Sequence, residues 1–200
     1  MPRHRWWGLA VCLVMALSAP PAPAQFLARQ VNLAYLAQRA DIIVQGRVVE
    51  ARYEGHPDYP HVRTVFVTLE VERTLRGPAG GRFAFRQLLS SREAYGGKRG
   101  YLAGQRLLLF LPLPSRYGLS SPIGNEQGRF HISRDAQGRD LVANELGNAG
   151  LLRGVRETAE RAGVGLTERQ SRLAAVRRGP ASLDDFSGLV QRLMLLPRIP

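Results

Sequence analysis

Residues 62–75 read VRTVFVTLEVERTL, and their alternation decides the fold class. Val65, Val67, Leu69, Val71 and Leu75 fall on one side of an extended chain, and Thr64, Thr68, Glu70 and Glu72 on the other. A helix would scatter both sets around its circumference, whereas side chains of period two line opposite faces of a sheet. Upstream, Asp41 opens IIVQGRVVEARY, rich in the β-branched residues that suit a pleated, half-buried surface. Val44, Gly46 and Val48 share a face there, and a glycine in mid-strand marks a bulge or a close backbone crossing. Downstream, Gly77, Pro78, Ala79, Gly80 and Gly81 force a turn. Phe83 and Phe85 then alternate with Ala84 and Arg86 in a third strand.

Farther out, the polar, glycine-rich stretch 90–104 reads as a long loop, of the kind that is commonly functional or mobile. The unbroken apolar run Leu107–Leu111 fits a central strand covered on both faces, closed by Pro112. A loop over 114–127 leads to RFHISRD, in which Phe130 and Ile132 oppose Arg129, His131 and Ser133, and a turn at Asp135–Gly138 leads to the strand RDLVAN. Before the first strand, Leu33, Leu36, Ala37 and Ala40 recur at helical spacing. After the last, Leu151, Leu152, Val155 and Ala159 suggest one helix, and Thr167 with Gln170 forms a capping box for a second that ends at Gly179 and Pro180. Ser182 caps a third, whose first turn holds Asp184 and Asp185 and whose apolar stripe is Phe186, Leu189, Val190, Leu193 and Met194. A helix of that length is marginal alone in water, so it is expected to dock on the sheet. Five or six short strands with turn punctuation argue for an antiparallel barrel or sandwich.

The first residues point to export. Arg3 and Arg5 precede an apolar run, Leu9–Ala19, that suits a signal sequence and falls short of the roughly 20 residues needed to span a bilayer as a helix. Ala22-Pro23-Ala24 supplies a cleavage site before Gln25, with Ala19 as an earlier alternative. The division expected is a signal peptide over 1–24, a β-barrel domain with its leading helix over 25–147, and a C-terminal helical extension over 148–200. No second apolar segment of spanning length follows, and the destination is the periplasm or the exterior. The one cysteine, Cys12, lies in the leader, so the mature chain has no thiol for disulfides, thiolate catalysis or metal binding. The formal charge of +12 favours acidic partners, yet the 28 basic residues are spread along the chain and only Lys98 is lysine. A solvated positive surface accounts for such a pattern more readily than a polyanion-binding face does.

Few residues suggest chemistry. The segment EGHPDYPH brings Glu54, His56, Asp58 and His61 together, but its spacing matches no metal signature and Pro57 and Pro60 suit a turn. His56, Asp58 and His61 are thus the candidate ligands of a metal site that the sequence does not itself require, and no cofactor is expected. There is no GxSxG elbow; the serines pair in loops at Ser90-Ser91 and Ser120-Ser121, and His131 is the one strand-borne candidate base. The segment GGKRG, 96–100, lacks the spacing of a phosphate-binding loop. Phe83 and Phe85 between Arg82 and Arg86 resemble the base-stacking strands of an oligonucleotide-binding barrel, although phenylalanines at alternate positions more often belong to a core.

Taken together, ADIIVQGRVVEARY, TVFVTLEVERTLRG and GQRLLLFLPLPSRYGLSSPIGNEQGRFHI resemble a pattern in uncharacterised exported bacterial proteins. The resemblance covers roughly 33–145 and rests on Asp41, Gly46, Gly77, Gly104, Tyr117, Gly118, Gly128 and Phe130. It implies a mainly β fold, a small antiparallel OB-like barrel of five to six strands with a short N-terminal helix and C-terminal helices. Tissue inhibitors of metalloproteinases use a similar barrel, and some proteins of this outline accompany secreted zinc proteases. The inhibitors' N-terminal cysteine and disulfides have no counterpart here, so their chemistry does not carry over. The expectation is a non-enzymatic exported module that binds a protein partner through the loops 53–62, 90–104 and 114–127. Lys98, Arg99, Tyr101, Arg116 and Tyr117 are its candidate contact residues. A role as adaptor or inhibitor of a secreted metalloprotease, and a polyanion-binding role, are the alternatives.

Overall fold

A computed structural model of the chain describes residues 30–77, 80–89 and 100–199. The leader expected over 1–24, and Lys98 and Arg99, lie outside these residues. Helix α1 (Leu33–Arg39) leads into β1 (Ile42–Gly55), β2 (Arg63–Arg76), β3 (Arg82–Leu88) and β4 (Arg106–Leu111). A short 3-10 turn, Asn125–Gly128, precedes β5 (Arg129–Arg134) and β6 (Asp140–Asn144). Helices α2 (Val155–Arg161) and α3 (Glu168–Ala174) follow, then the two-residue β7 (Ala181–Ser182) and helix α4 (Leu183–Leu193). No helix among the described residues is long and apolar enough to cross a membrane.

The fold is mainly β: seven strands form one sheet in the order β3-β2-β1-β4-β5-β6-β7, every neighbouring pair antiparallel. The sheet is open, which corrects the closed barrel of five to six strands expected from the sequence. Closure requires the end strands to meet, and here β7 is only two residues long while the outer edge of β3 is met by a loop. Ser120 N–H donates to Arg86 O at 2.8 Å, and Leu119 forms an isolated parallel bridge with Arg86.

Two apolar cores lie on opposite faces. Leu107, Leu109 and Leu111 of β4 join Val44 and Val48 of β1, Val65, Val67 and Leu69 of β2, and Phe85 of β3. Leu108 and Phe110 point the other way, into a core shared with α1, α2 and α4. There the Phe130 ring packs, tilted, with its centre 5.5 Å from that of Phe110 and 5.1 Å from that of Phe186 of α4. Helix α4 therefore buries its stripe against the sheet, and the burial of Phe186, Leu189, Val190 and Leu193 contributes on the order of 1.5–3 kcal/mol per side chain.

Caps fall where the chemistry of the sequence puts them. Asn32 accepts from Tyr35 N–H at 2.9 Å at the start of α1, and Thr167 and Gln170 form a reciprocal capping box at the start of α3. Helix α3 ends at Ala174, short of Gly179.

Three irregularities bend β1 and β2. Leu75 is an extra residue between the partners of Ile43 and Val44, Glu72 another between those of Gln45 and Gly46, and Val49 a third between those of Leu69 and Thr68. The slip at Leu75 turns it toward the helix-covered core, a departure from the strict alternation that placed it with Val71. Gly46 sits against β2 so closely that a β-carbon would lie 2.5 Å from the Glu70 carbonyl oxygen.

Polar ties hold the periphery. Arg106 on β4 forks onto Glu72 of β2, both bonds 2.8 Å, and reaches Asp140 of β6 at 2.9 Å. Hydrogen bonding to Arg106 holds both carboxyls below their ordinary range, and burial opposes the shift. At the other end, Arg76 donates to Ala40 O at 2.8 Å and Met194 O at 3.3 Å, while Arg198 pairs with Asp41.

Replacing Gly46 with alanine must displace the β2 backbone, and Gly46→Ala is expected to cost about 1–3 kcal/mol of stability. Urea unfolding measures it, and an unchanged midpoint would contradict the close crossing.

Candidate contact surface

The β1–β2 connection is a closed turn. His56 N–H donates to Val62 O and Val62 N–H to Tyr59 O, each at 2.8 Å. A β-carbon on Gly55 would collide with the Pro60 carbonyl, so the turn needs glycine at its entry. Pro57 and Pro60 fix φ within the segment.

His56 is the keystone of this turn. Its ring is buried, 4% exposed, and both nitrogens are engaged. Nδ1 accepts from Asp58 N–H at 3.2 Å, which leaves Nε2 carrying the proton and donating to Tyr117 O at 2.8 Å. That second bond crosses to the 114–120 loop and clips the two loops together. The far loop is itself braced: Ser115 N–H reaches Leu119 O and Gly118 N–H reaches Ser115 O, both at 2.8 Å. Gly118 takes the left-handed conformation such a turn requires, with φ of +69°. Ser120 Oγ donates to Pro112 O at 2.9 Å and fastens the loop to the end of β4.

The clip presents an aromatic and cationic surface. Tyr59 packs against His56 at 5.2 Å between ring centres and meets Tyr117 edge-on at 5.7 Å. The Arg116 guanidinium lies 4.7 Å over the Tyr117 ring. Tyr59 and Tyr117 are each 42% exposed even though their inner edges are packed. Below the turn, Phe66 of β2 lies between two guanidiniums, Arg52 at 4.9 Å and Arg86 at 5.1 Å, and Arg86 pairs with Glu54 at 2.8 Å.

The structure thus brings Arg116 and Tyr117 together with the 56–61 turn. Tyr59 completes the group, and an aromatic flanked by Pro57 and Pro60 in a loop was the signal that could have found it. Asp58 and His61 are exposed while His56 is committed to the clip. Among the described residues no three His, Cys, Asp or Glu side chains are grouped to hold a metal ion.

Tyr101 is elsewhere: it is 2% exposed and lies inside the sheet's second face, away from any contact surface. Its N–H donates to Tyr53 Oη and its own hydroxyl to Gln87 Oε1, both at 2.7 Å. The ring meets Phe85 of β3 edge-on at 5.7 Å and carries the buried Arg129 of β5 at 4.7 Å. Arg129 is 3.8 Å from Glu145, which also accepts from His131 at 3.2 Å. Burial first, and then the Arg129 charge, push the His131 pKa down, so the imidazole is neutral at pH 7. The burial of Arg129 was not legible, because it alternates with Phe130 and Ile132 as a solvent-facing residue would.

The chain matches no protein-family model and no curated protein.

Substituting His56→Leu keeps most of the ring's volume while deleting both bonds. A loss of about 1–3 kcal/mol is expected, together with faster amide exchange across 57–61 and 116–119. Unchanged exchange in the 116–119 segment would show that His56 does not join the loops.

Proposed function

We propose that this chain is an exported binding module that recognises a protein partner, in the cell envelope or outside the cell, through the surface of Tyr59, Arg116 and Tyr117. It holds its partner and does not turn over a substrate. The observation that carries this reading is the buried His56 clip, which orders two loops and leaves two tyrosines and an arginine presented together. Tyr and Arg are the residue types that dominate binding energy at protein interfaces, and pre-ordering them lowers the entropy lost on association.

The charge pattern favours a protein over a polyanion. Several arginines already hold an acid, as in the pairs of Arg106 with Glu72, Arg134 with Asp140, Arg139 with Asp135 and Arg172 with Glu168. A polyanion would have to displace these acids.

The finer reading of the fold as OB-like rests on its curl. One ring, Tyr101, touches both β3 and β5, the first and fifth strands in sheet order, and the loop at Leu119–Ser120 lies against the β3 edge.

The test is a photo-crosslinking amino acid placed at Tyr117, with Arg134 as a control position, in the exported fraction of the source cells. A discrete protein adduct at 117 and none at 134 is expected, from a chain that begins at Gln25, and Tyr59→Ala with Arg116→Ala should weaken its capture by about thirtyfold. Equal adducts at both positions, or a retained Met1, would overturn the proposal.

A further inference from the structure

A groove of about 390 Å³ lies where the end of α3 approaches the turns that precede α2, far in sequence from the Tyr59–Tyr117 surface. Its walls are fixed to one another, because Gly150 N–H donates to Arg177 O at 3.1 Å. On the α2 side, Asn32 Nδ2 donates to Arg153 O at 3.0 Å, which anchors that wall to the cap of α1. The floor is continuous with the core: Leu152 is 4% exposed, and Ala174 packs against the same helix-covered cluster.

The chemistry of the lining is divided. Leu152, Ala174 and Val176 are apolar, and the charged residues are Arg153 and Arg177. Both arginines are exposed, and neither makes an ion pair among the described residues. This sets them apart from Arg156, Arg169 and Arg172 nearby, each of which has an acid within 4 Å. Two unneutralised planar cations beside an apolar wall match an anion that carries hydrocarbon, and the guanidinium fork suits the two oxygens of a carboxylate. A bare inorganic anion would leave Val176, 41% exposed, uncovered, and the volume lies at the small end of the range for small-molecule sites.

We infer that this groove binds a carboxylate borne on a short apolar chain, either the C-terminal residue of an apolar-ended peptide or a free aliphatic acid. The carboxylate bridges Arg153 and Arg177, and the hydrocarbon covers Val176 above the buried Leu152. The site is independent of the Tyr59–Tyr117 surface and does not rest on that reading.

The experiment titrates the full mature chain with N-acetyl-leucine, hexanoate, N-acetyl-leucinamide and sulfate, followed by backbone amide shifts. Saturable shifts at 150–153 and 174–177 are expected with at least one of the two carboxylates. N-acetyl-leucine alone would identify a peptide terminus, and both would identify the wider class. Arg153→Gln and Arg177→Gln should each weaken binding about tenfold. Their urea midpoints should be unchanged, since both side chains are exposed. No shift with either carboxylate, an equal response to the amide or to sulfate, or indifference to both substitutions would overturn the inference.

Discussion

Everything in this molecule is arranged around one strand that cannot meet water on either side. The five residues Leu107–Leu111 are all fully buried, and they feed alternate side chains into two separate cores. Such a strand has no solvent face to offer, so each of its faces must be covered by something else. On one side the cover is the sheet itself, whose β1, β2 and β3 bend back over Leu107, Leu109 and Leu111. On the other side it is the helices, with Phe110, Phe130 and Phe186 in a row. The C-terminal helices are part of this solution, since Leu189, Val190 and Leu193 complete the core that Leu108 and Phe110 begin.

The same constraint explains where rigidity is found. The 114–120 loop leaves directly from β4 and is fastened to it through Pro112, while the 56–62 turn grows from the far end of β1, the neighbour of β4. His56 joins them with a buried imidazole that spends both of its nitrogens on backbone partners. Loops that would otherwise wander are thus pinned to the most buried part of the sheet, and the residues they expose are held in place by it. Arg106 acts in a comparable way at the opposite end, where one guanidinium gathers Glu72 and Asp140 across the strands. Because those carboxyls are held below their ordinary range, their contribution is present above that range and is lost as acid protonates them.

How much of this the residues announce depends on the distance over which each interaction acts. Local rules were readable: the alternation of Val65, Val67 and Leu69, the two-sided run at Leu107–Leu111, the caps at Thr167 and Ser182, and the tight crossing at Gly46 all follow from neighbours within a few positions. Long-range events were not. The slip that turns Leu75 to the other core is set by its pairing with β1, the two-residue β7 is too short to have a period, and open rather than closed strand order depends on edges that meet only in three dimensions. Arg116 and Tyr117 could be picked out as loop residues rich in binding chemistry, whereas Tyr101 and Arg129 have the composition of a surface and the position of a core. The imidazole that joins the two loops offered itself in the sequence only as one candidate ligand of a metal site the spacing did not require, because a histidine's partners on the backbone leave no trace in residue spacing.

β4 is expected to make the two cores a single cooperative unit. Native-state hydrogen exchange under increasing, sub-denaturing urea measures it directly, by following amides of β2 at 65–69, β4 at 107–111 and α4 at 186–193. If the claim holds, the three sets converge on one unfolding isotherm whose free energy equals the global value. If α4 opens at a free energy several kcal/mol below that of β2, with its own denaturant dependence, the cores are separate and the claim is contradicted.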